Sequence, residues 1–147
     1  MGRCASPVPV RPLVARISTY SNMVHARILY AEDNALLRQT LTDTLELEGW
    51  HVVACRNGTA ALWKLESDEP FDLLLLDDEL PGINGVELAQ RARRLKHRER
   101  TPVVIISASE TGRAARQAGA SAFLKKPEDI NRVVETIVRL LGIAHGG

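Results

Sequence analysis

Phe71-Asp72-Leu73-Leu74-Leu75-Leu76-Asp77-Asp78-Glu79-Leu80-Pro81-Gly82-Ile83-Asn84-Gly85 is the stretch that decides the fold. Four consecutive leucines run into three acidic residues and then into a turn rich in proline and glycine. An apolar run this short, closed by turn residues, reads as a strand buried on both faces. In open α/β sheets, ligand sites lie at the carboxyl ends of such strands. Three acids abutting a buried strand are costly unless a cation faces them. The stretch therefore marks a candidate site.

Working outward, the same pattern recurs. Arg27–Ala31 reads as a strand followed by Glu32-Asp33, then by a helix with Leu36, Leu37, Leu41 and Leu45 recurring at helical spacing, Asn34 as N-cap and Gly49 as stop. His51–Cys55 is a second strand, and Asn57-Gly58 opens a short helix carrying Ala61, Leu62 and Leu65. After the Leu73–Leu76 strand, Gly85 leads into a helix bearing Leu88, Ala89 and Ala92. The basic residues of its far side and exit (Arg91, Arg93, Arg94, Lys96, Arg98 and Arg100) read as a solvated face, with no aromatic interleaved to suggest nucleic acid. Val103–Ser107 is a fourth strand. A short or irregular helix is expected between Ala108 and Gln117, ended by Gly119. Ala122–Lys125 is a fifth strand, and a last helix starts near Asp129 and closes at Gly142. Strands alternating with helices predict a flavodoxin-like, doubly wound (βα)5 fold with a five-stranded parallel sheet, order 2-1-3-4-5.

Composition sets the bounds. The 147 residues suit one domain, and a net charge of +1 gives no global pull toward nucleic acid or membrane. Two distant cysteines, Cys4 and Cys55, argue against a disulfide framework or a zinc site, and fit a reducing, cytoplasmic setting. No apolar run approaches the ~18 residues that span a bilayer. Residues 1–26 are proline- and arginine-containing and free of acids, so a disordered or partly ordered extension is expected, with residues 27–142 forming the domain and 143–147 a tail. Met1-Gly2-Arg3-Cys4-Ala5-Ser6 fits a loose myristoylation pattern, and the arginine-rich start resembles a transit peptide. Met23, just before the first strand, is an alternative start.

In a parallel sheet the carboxyl ends of all strands share one edge. Glu32, Asp33, Asp77, Ser107 and Lys126 therefore converge there. Carboxylates about 4 Å apart repel by roughly 4 kcal/mol per pair at an effective dielectric near 20. Oxygen-only ligands of this kind favour Mg²⁺. Such an ion can hold phosphoryl oxygens while Lys126 and Ser107 take others, leaving Asp77 as a nucleophile toward phosphorus.

Glu32-Asp33, Asp77 to Gly85, Ser107-Ala108 and Lys126-Pro127 together resemble the receiver domain of two-component response regulators. The resemblance runs from Arg27 to about Leu141. It implies that Asp77, four residues before Pro81, accepts a phosphoryl group from a histidine kinase or phosphotransfer protein. It implies that Glu32, Asp33, Asp77 and the backbone carbonyl of Glu79 hold Mg²⁺, and that Lys126 is the lysine of the site. Ser107 and Phe123 would be the switch residues, changing the surface offered to a downstream protein partner. The chain is then a signalling switch rather than an enzyme, monomeric or weakly dimeric, without direct nucleic-acid or membrane binding. It could stand alone or be a receiver excised from a hybrid histidine kinase, and a pseudo-receiver that binds partners without phosphorylation is the alternative. An aspartyl phosphatase of the haloacid dehalogenase type fits less well, since Asp77 and Glu79 share only its spacing and lie on the third strand. A flavodoxin lacks support because no phosphate-cradling loop follows the first strand. Asp78 and Glu79 depart from the family pattern. Glu79 is expected to pair with a nearby cation or to disfavour attacking water.

Overall fold

The computed structural model describes residues 25–146. The expectations for residues 1–24, including the myristoylation pattern, the transit-peptide likeness and the Met23 start, lie outside the described residues.

Five strands, β1 (Arg27–Ala31), β2 (His51–Cys55), β3 (Leu73–Asp77), β4 (Val103–Ser107) and β5 (Ala122–Lys125), form one sheet in the order β2-β1-β3-β4-β5. Every pairing is parallel. Helices α1 (Ala35–Leu47), α2 (Gly58–Glu66), α3 (Gly85–Arg94) and α4 (Gly112–Gln117) make the connections, and α5 (Val133–Gly146) follows β5. This is the flavodoxin-like, doubly wound architecture.

Strand side chains alternate between faces, so β3 feeds two cores. Leu74 and Leu76 pack with Ala61 and Leu65 of α2, Leu88 and Ala92 of α3, and Ala115 of α4. Leu73 and Leu75 pack with Leu41 and Leu45 of α1 and with Val133 and Ile137 of α5. All five residues of β3 and of β4 are buried. The central strands therefore carry no polar residue until their last position, where Asp77 and Ser107 stand.

Three helices begin with the same device. Asn34 accepts a hydrogen bond from the Leu37 amide at 2.9 Å, Asn57 from Ala60 at 2.8 Å and Asn84 from Glu87 at 2.9 Å. Each satisfies one of the amide groups left unpaired at a helix start. All three caps sit at the site edge, so they fix where the loops leave the sheet. Gly49 and Gly119 end α1 and α4 with φ of 91° and 93°, values that favour glycine.

Four details differ from the sequence reading. A 3-10 turn, Ile130–Arg132, precedes the last helix, which starts at Val133. That helix runs through Gly142 to Gly146 rather than closing into a tail at 143, because a glycine inside a helix costs only about 1 kcal/mol. Leu36, placed on the apolar stripe of α1, is 78% exposed, since the helix buries only Leu41 and Leu45. The basic segment after α3 is not all solvated. Arg98 is 2% exposed. It donates to the carbonyls of Lys64, Leu65, Ser67 and Glu69 and lies 5.0 Å from the Phe71 ring centroid. Arg93 likewise donates to the carbonyls of Arg98, Glu99, Thr101 and Gly119. The planar fork of arginine suits such multi-carbonyl clamps.

Candidate functional site

The parallel ladder extends one residue past several strands and carries the site with it. Glu32 N donates to Cys55 O at 2.9 Å, Asp78 N to Ile106 O at 2.8 Å and Lys126 N to Ser107 O at 2.9 Å. Glu32 and Asp77 are 0% exposed, whereas Asp33 faces solvent. Carboxylate oxygens of Glu32, Asp33 and Asp77 all lie within 4.8 Å of one another. The Lys126 ammonium completes the group, 3.1 Å from Glu32 Oε1 and 3.2 Å from Asp77 Oδ2. Asp77 Oδ1 accepts from the Glu79 amide at 3.0 Å, and Glu32 Oε2 from the Asn34 amide at 3.1 Å.

These contacts decide the charges. Burial first, then the hydrogen bond and charge of Asp77, push the Glu32 carboxyl up to about 7, against the pull of the Asn34 amide and Lys126. Burial works against the Lys126 ammonium, but Asp77 and Glu32 outweigh it and hold its pKa above the ordinary lysine value. One lysine thus faces two buried carboxyls, and the exposed Asp33 carboxyl lies beside them. The donor set is all hard oxygen, and its excess negative charge fits a divalent cation such as Mg²⁺, which binds through a few carboxylates and keeps waters.

Ser107 is fully buried. Its hydroxyl donates to Glu79 Oε2, the Ala108 amide donates to Glu79 Oε1 at 3.0 Å, and the Ser109 amide donates to Ser107 Oγ at 3.0 Å. Glu79 therefore takes two neutral donors, and the expected direct pairing with a cation is not formed among the described residues. Burial raises the Glu79 pKa, but the Ser107 hydroxyl, the Ala108 amide and the charge of Lys126 bring it below the ordinary carboxylate range.

Asp78, the residue after β3, turns away from Asp77 toward α3, where its Oδ1 accepts from the Val86 amide at 3.0 Å. Adjacent strand residues face opposite sides of the sheet, so Asp77 and Asp78 cannot share one role. Burial raises the Asp78 carboxyl's pKa, and the Val86 amide opposes it. Phe123, paired with Ile105 in the ladder, is half-buried against the core beside Gly112.

Sequence reasoning placed every acid, the serine and the lysine at this edge. It missed the spacing role of two glycines. A Cβ on Gly85 would lie 2.8 Å from the Asp77 carbonyl oxygen, and one on Gly58 would lie 1.9 Å from the Ile83 carbonyl oxygen. Pro81-Gly82-Ile83-Asn84-Gly85 reads as a turn, and nothing in it signals which backbone it must approach.

Fold and site together define a class, and comparison with known families agrees: residues 28–138 match the family model of the response regulator receiver domain. The chain belongs to this family and is a receiver domain of two-component signalling. It is 35% identical over 119 residues to the sensory/regulatory protein RpfC of Xanthomonas campestris, covering 78% of this chain but 16% of that protein's length. It is 31% identical over 120 residues to the polar-differentiation response regulator DivK of Brucella anthropi, covering 80% of this chain and 97% of that one. Among solved structures, response regulator TrrA of Thermotoga maritima, in complex with Mg²⁺-BeF, aligns with a TM-score of 0.69 and 29% identity over 78% of this chain and 98% of its own. The receiver domain of a Pseudomonas aeruginosa sensor histidine kinase, with a magnesium ion coordinated in its active-site cleft, gives 0.72 and 25% over 80% and 98%. Among the described residues, no helix is long and apolar enough to cross a membrane.

Proposed function

We propose that Asp77 accepts a phosphoryl group from a histidine kinase or phosphotransfer protein, and that the change of charge switches the binding of a downstream protein partner. The observation that carries this reading is the setting of Asp77: fully buried, 3.2 Å from Lys126, and clustered within 4.8 Å with Glu32 and Asp33. Glu32, Asp33, Asp77 and the Glu79 carbonyl would hold Mg²⁺, which supplies positive charge to the phosphoryl oxygens when bound.

An Asp77 carboxylate oxygen forms the new bond to phosphorus as the bond from phosphorus to the donor imidazole nitrogen breaks. The imidazole leaves with the electron pair and takes a proton. Lys126 neutralises charge on the transferring group, and the Ser107 hydroxyl and Ala108 amide donate to its oxygens. Phe123 then repacks as Ser107 moves, a shift between two populations driven by local charge.

The test is intact mass after incubation with Mg²⁺ and acetyl phosphate. One phosphoryl adduct on the wild type and none on Asp77→Ala supports the reading. No adduct on the wild type, or an equal adduct on Asp77→Ala, rejects it.

A further inference from the structure

The two donors that a phosphoryl group on Asp77 needs, the Ser107 hydroxyl and the Ala108 amide, are already taken. Each bonds a different oxygen of the same carboxylate, Glu79. The Ser107 oxygen also accepts from the Ser109 amide, which leaves its proton committed to Glu79. The acid comes from 28 residues upstream of Ser107, so the contact is tertiary rather than a local turn. Its backbone is pinned as well, because the Glu79 amide donates to Asp77 Oδ1 at 3.0 Å. The side chain is thus tethered next to the acceptor and presents two oxygens of an anion to adjacent donors. An exposed carboxylate with no such task is ordinarily left to water.

We propose that Glu79 is an internal anion that competes with the phosphoryl group for the Ser107–Ala108 cradle. The proposal rests on the reading that Asp77 is phosphorylated. It gives Glu79 a regulatory role distinct from the ligation assigned to its carbonyl. In the resting chain the carboxylate holds the switch serine toward the site. A phosphoryl group arriving on Asp77 must displace it into solvent, so Glu79 sets both the resting position of Ser107 and the threshold for switching. Hydrogen bonds to a charged group are strong enough that losing one such competitor corresponds to roughly tenfold or more in affinity for the incoming group.

The test uses the full chain, with beryllofluoride as a non-transferable stand-in for the phosphoryl group. Wild type, Glu79→Ala and Glu79→Gln are each titrated at saturating Mg²⁺, and the Ala108 amide is followed by ¹H–¹⁵N NMR. The expected result has three parts. The Ala108 amide proton moves upfield in unliganded Glu79→Ala. Beryllofluoride restores it. The variant binds beryllofluoride about tenfold more tightly than wild type, with Glu79→Gln, which keeps the shape without the charge, in between. An Ala108 amide unmoved by Glu79→Ala, or equal beryllofluoride affinities, overturns the competition while the acceptor reading stands. Failure of every protein to take up beryllofluoride overturns both.

Discussion

Replacing Lys126 by methionine keeps most of the side chain's length and removes its charge. The ammonium lies 3.1 Å and 3.2 Å from two carboxyl groups that are themselves fully buried. At an effective dielectric near 20 each contact is worth roughly 5 kcal/mol before desolvation. Desolvation offsets much of that, and stripping one partner from a buried pair typically costs about 3–5 kcal/mol. The carboxyls have an escape, because Glu32, already pushed up to about 7, takes up a proton more readily once Lys126 is gone. A carboxyl whose pKa is raised on folding contributes stability that is full below its unfolded value and lost as pH rises through the folded value. Lys126, raised above 10.5, contributes fully at any pH below that figure, so the pH dependence belongs to Glu32. Lys126→Met should therefore lose about 3 kcal/mol near pH 8 and less near pH 5, where only the contact with Glu32 has weakened. Urea unfolding followed by circular dichroism, without Mg²⁺, measures both. Mg²⁺ should shrink the loss near pH 8, since it faces the same oxygens. A loss below about 0.5 kcal/mol near pH 8, or an equal loss at both pH values, would refute the charge balance drawn here.

Three further outcomes follow from single contacts. Gly85→Ala forces a Cβ to within 2.8 Å of the Asp77 carbonyl oxygen; we expect about 1–3 kcal/mol of destabilisation and weaker Mg²⁺-dependent thermal stabilisation, and an unaltered melting curve would contradict the close approach. The Tyr30 hydroxyl is buried without a hydrogen-bond partner among the described residues, so Tyr30→Phe should leave stability unchanged or raise it by about 1 kcal/mol; a clear loss in urea unfolding would count against this. Arg98→Ala removes a clamp on four carbonyls and should cost about 3 kcal/mol, with Arg98→Lys recovering little; full recovery by lysine would show that charge, not the planar fork, matters.

The sheet was legible because its signals are local and periodic. Leu73–Leu76 and Val103–Ile106 have no polar residue, so they had to be central, and their first polar residues had to be at the sheet edge. Asn34, Asn57 and Gly49 announced helix ends through short-range capping chemistry. The parity of β3 also contained the division of labour between Asp77 and Asp78, although only the Val86 amide shows where Asp78 is used. What stayed hidden depends on tertiary neighbours. The arginines of 91–100 look alike in sequence, yet Arg93 and Arg98 turn inward, where helix-end and loop carbonyls lie within reach of their guanidinium groups. Glu79 reads in sequence as an added carboxylate beside the site that pairs with a cation or disfavours attacking water, since the Ser107 hydroxyl and Ala108 amide that bond it are 28 and 29 residues away. The family pattern selects Asp77 through Pro81 but says nothing of a second anion beside it.

The central claim is that Asp77 is the group that takes the phosphoryl. An acyl phosphate is reduced by borohydride, whereas a free carboxylate is not, so reduction after treatment with Mg²⁺ and acetyl phosphate marks the acceptor for peptide mass mapping. The account predicts that the reduced residue is Asp77, with Asp33 and Asp78 unmodified in the same digest. Reduction at Asp33 or Asp78, or no reduced residue in protein that carries the phosphoryl mass, would contradict it.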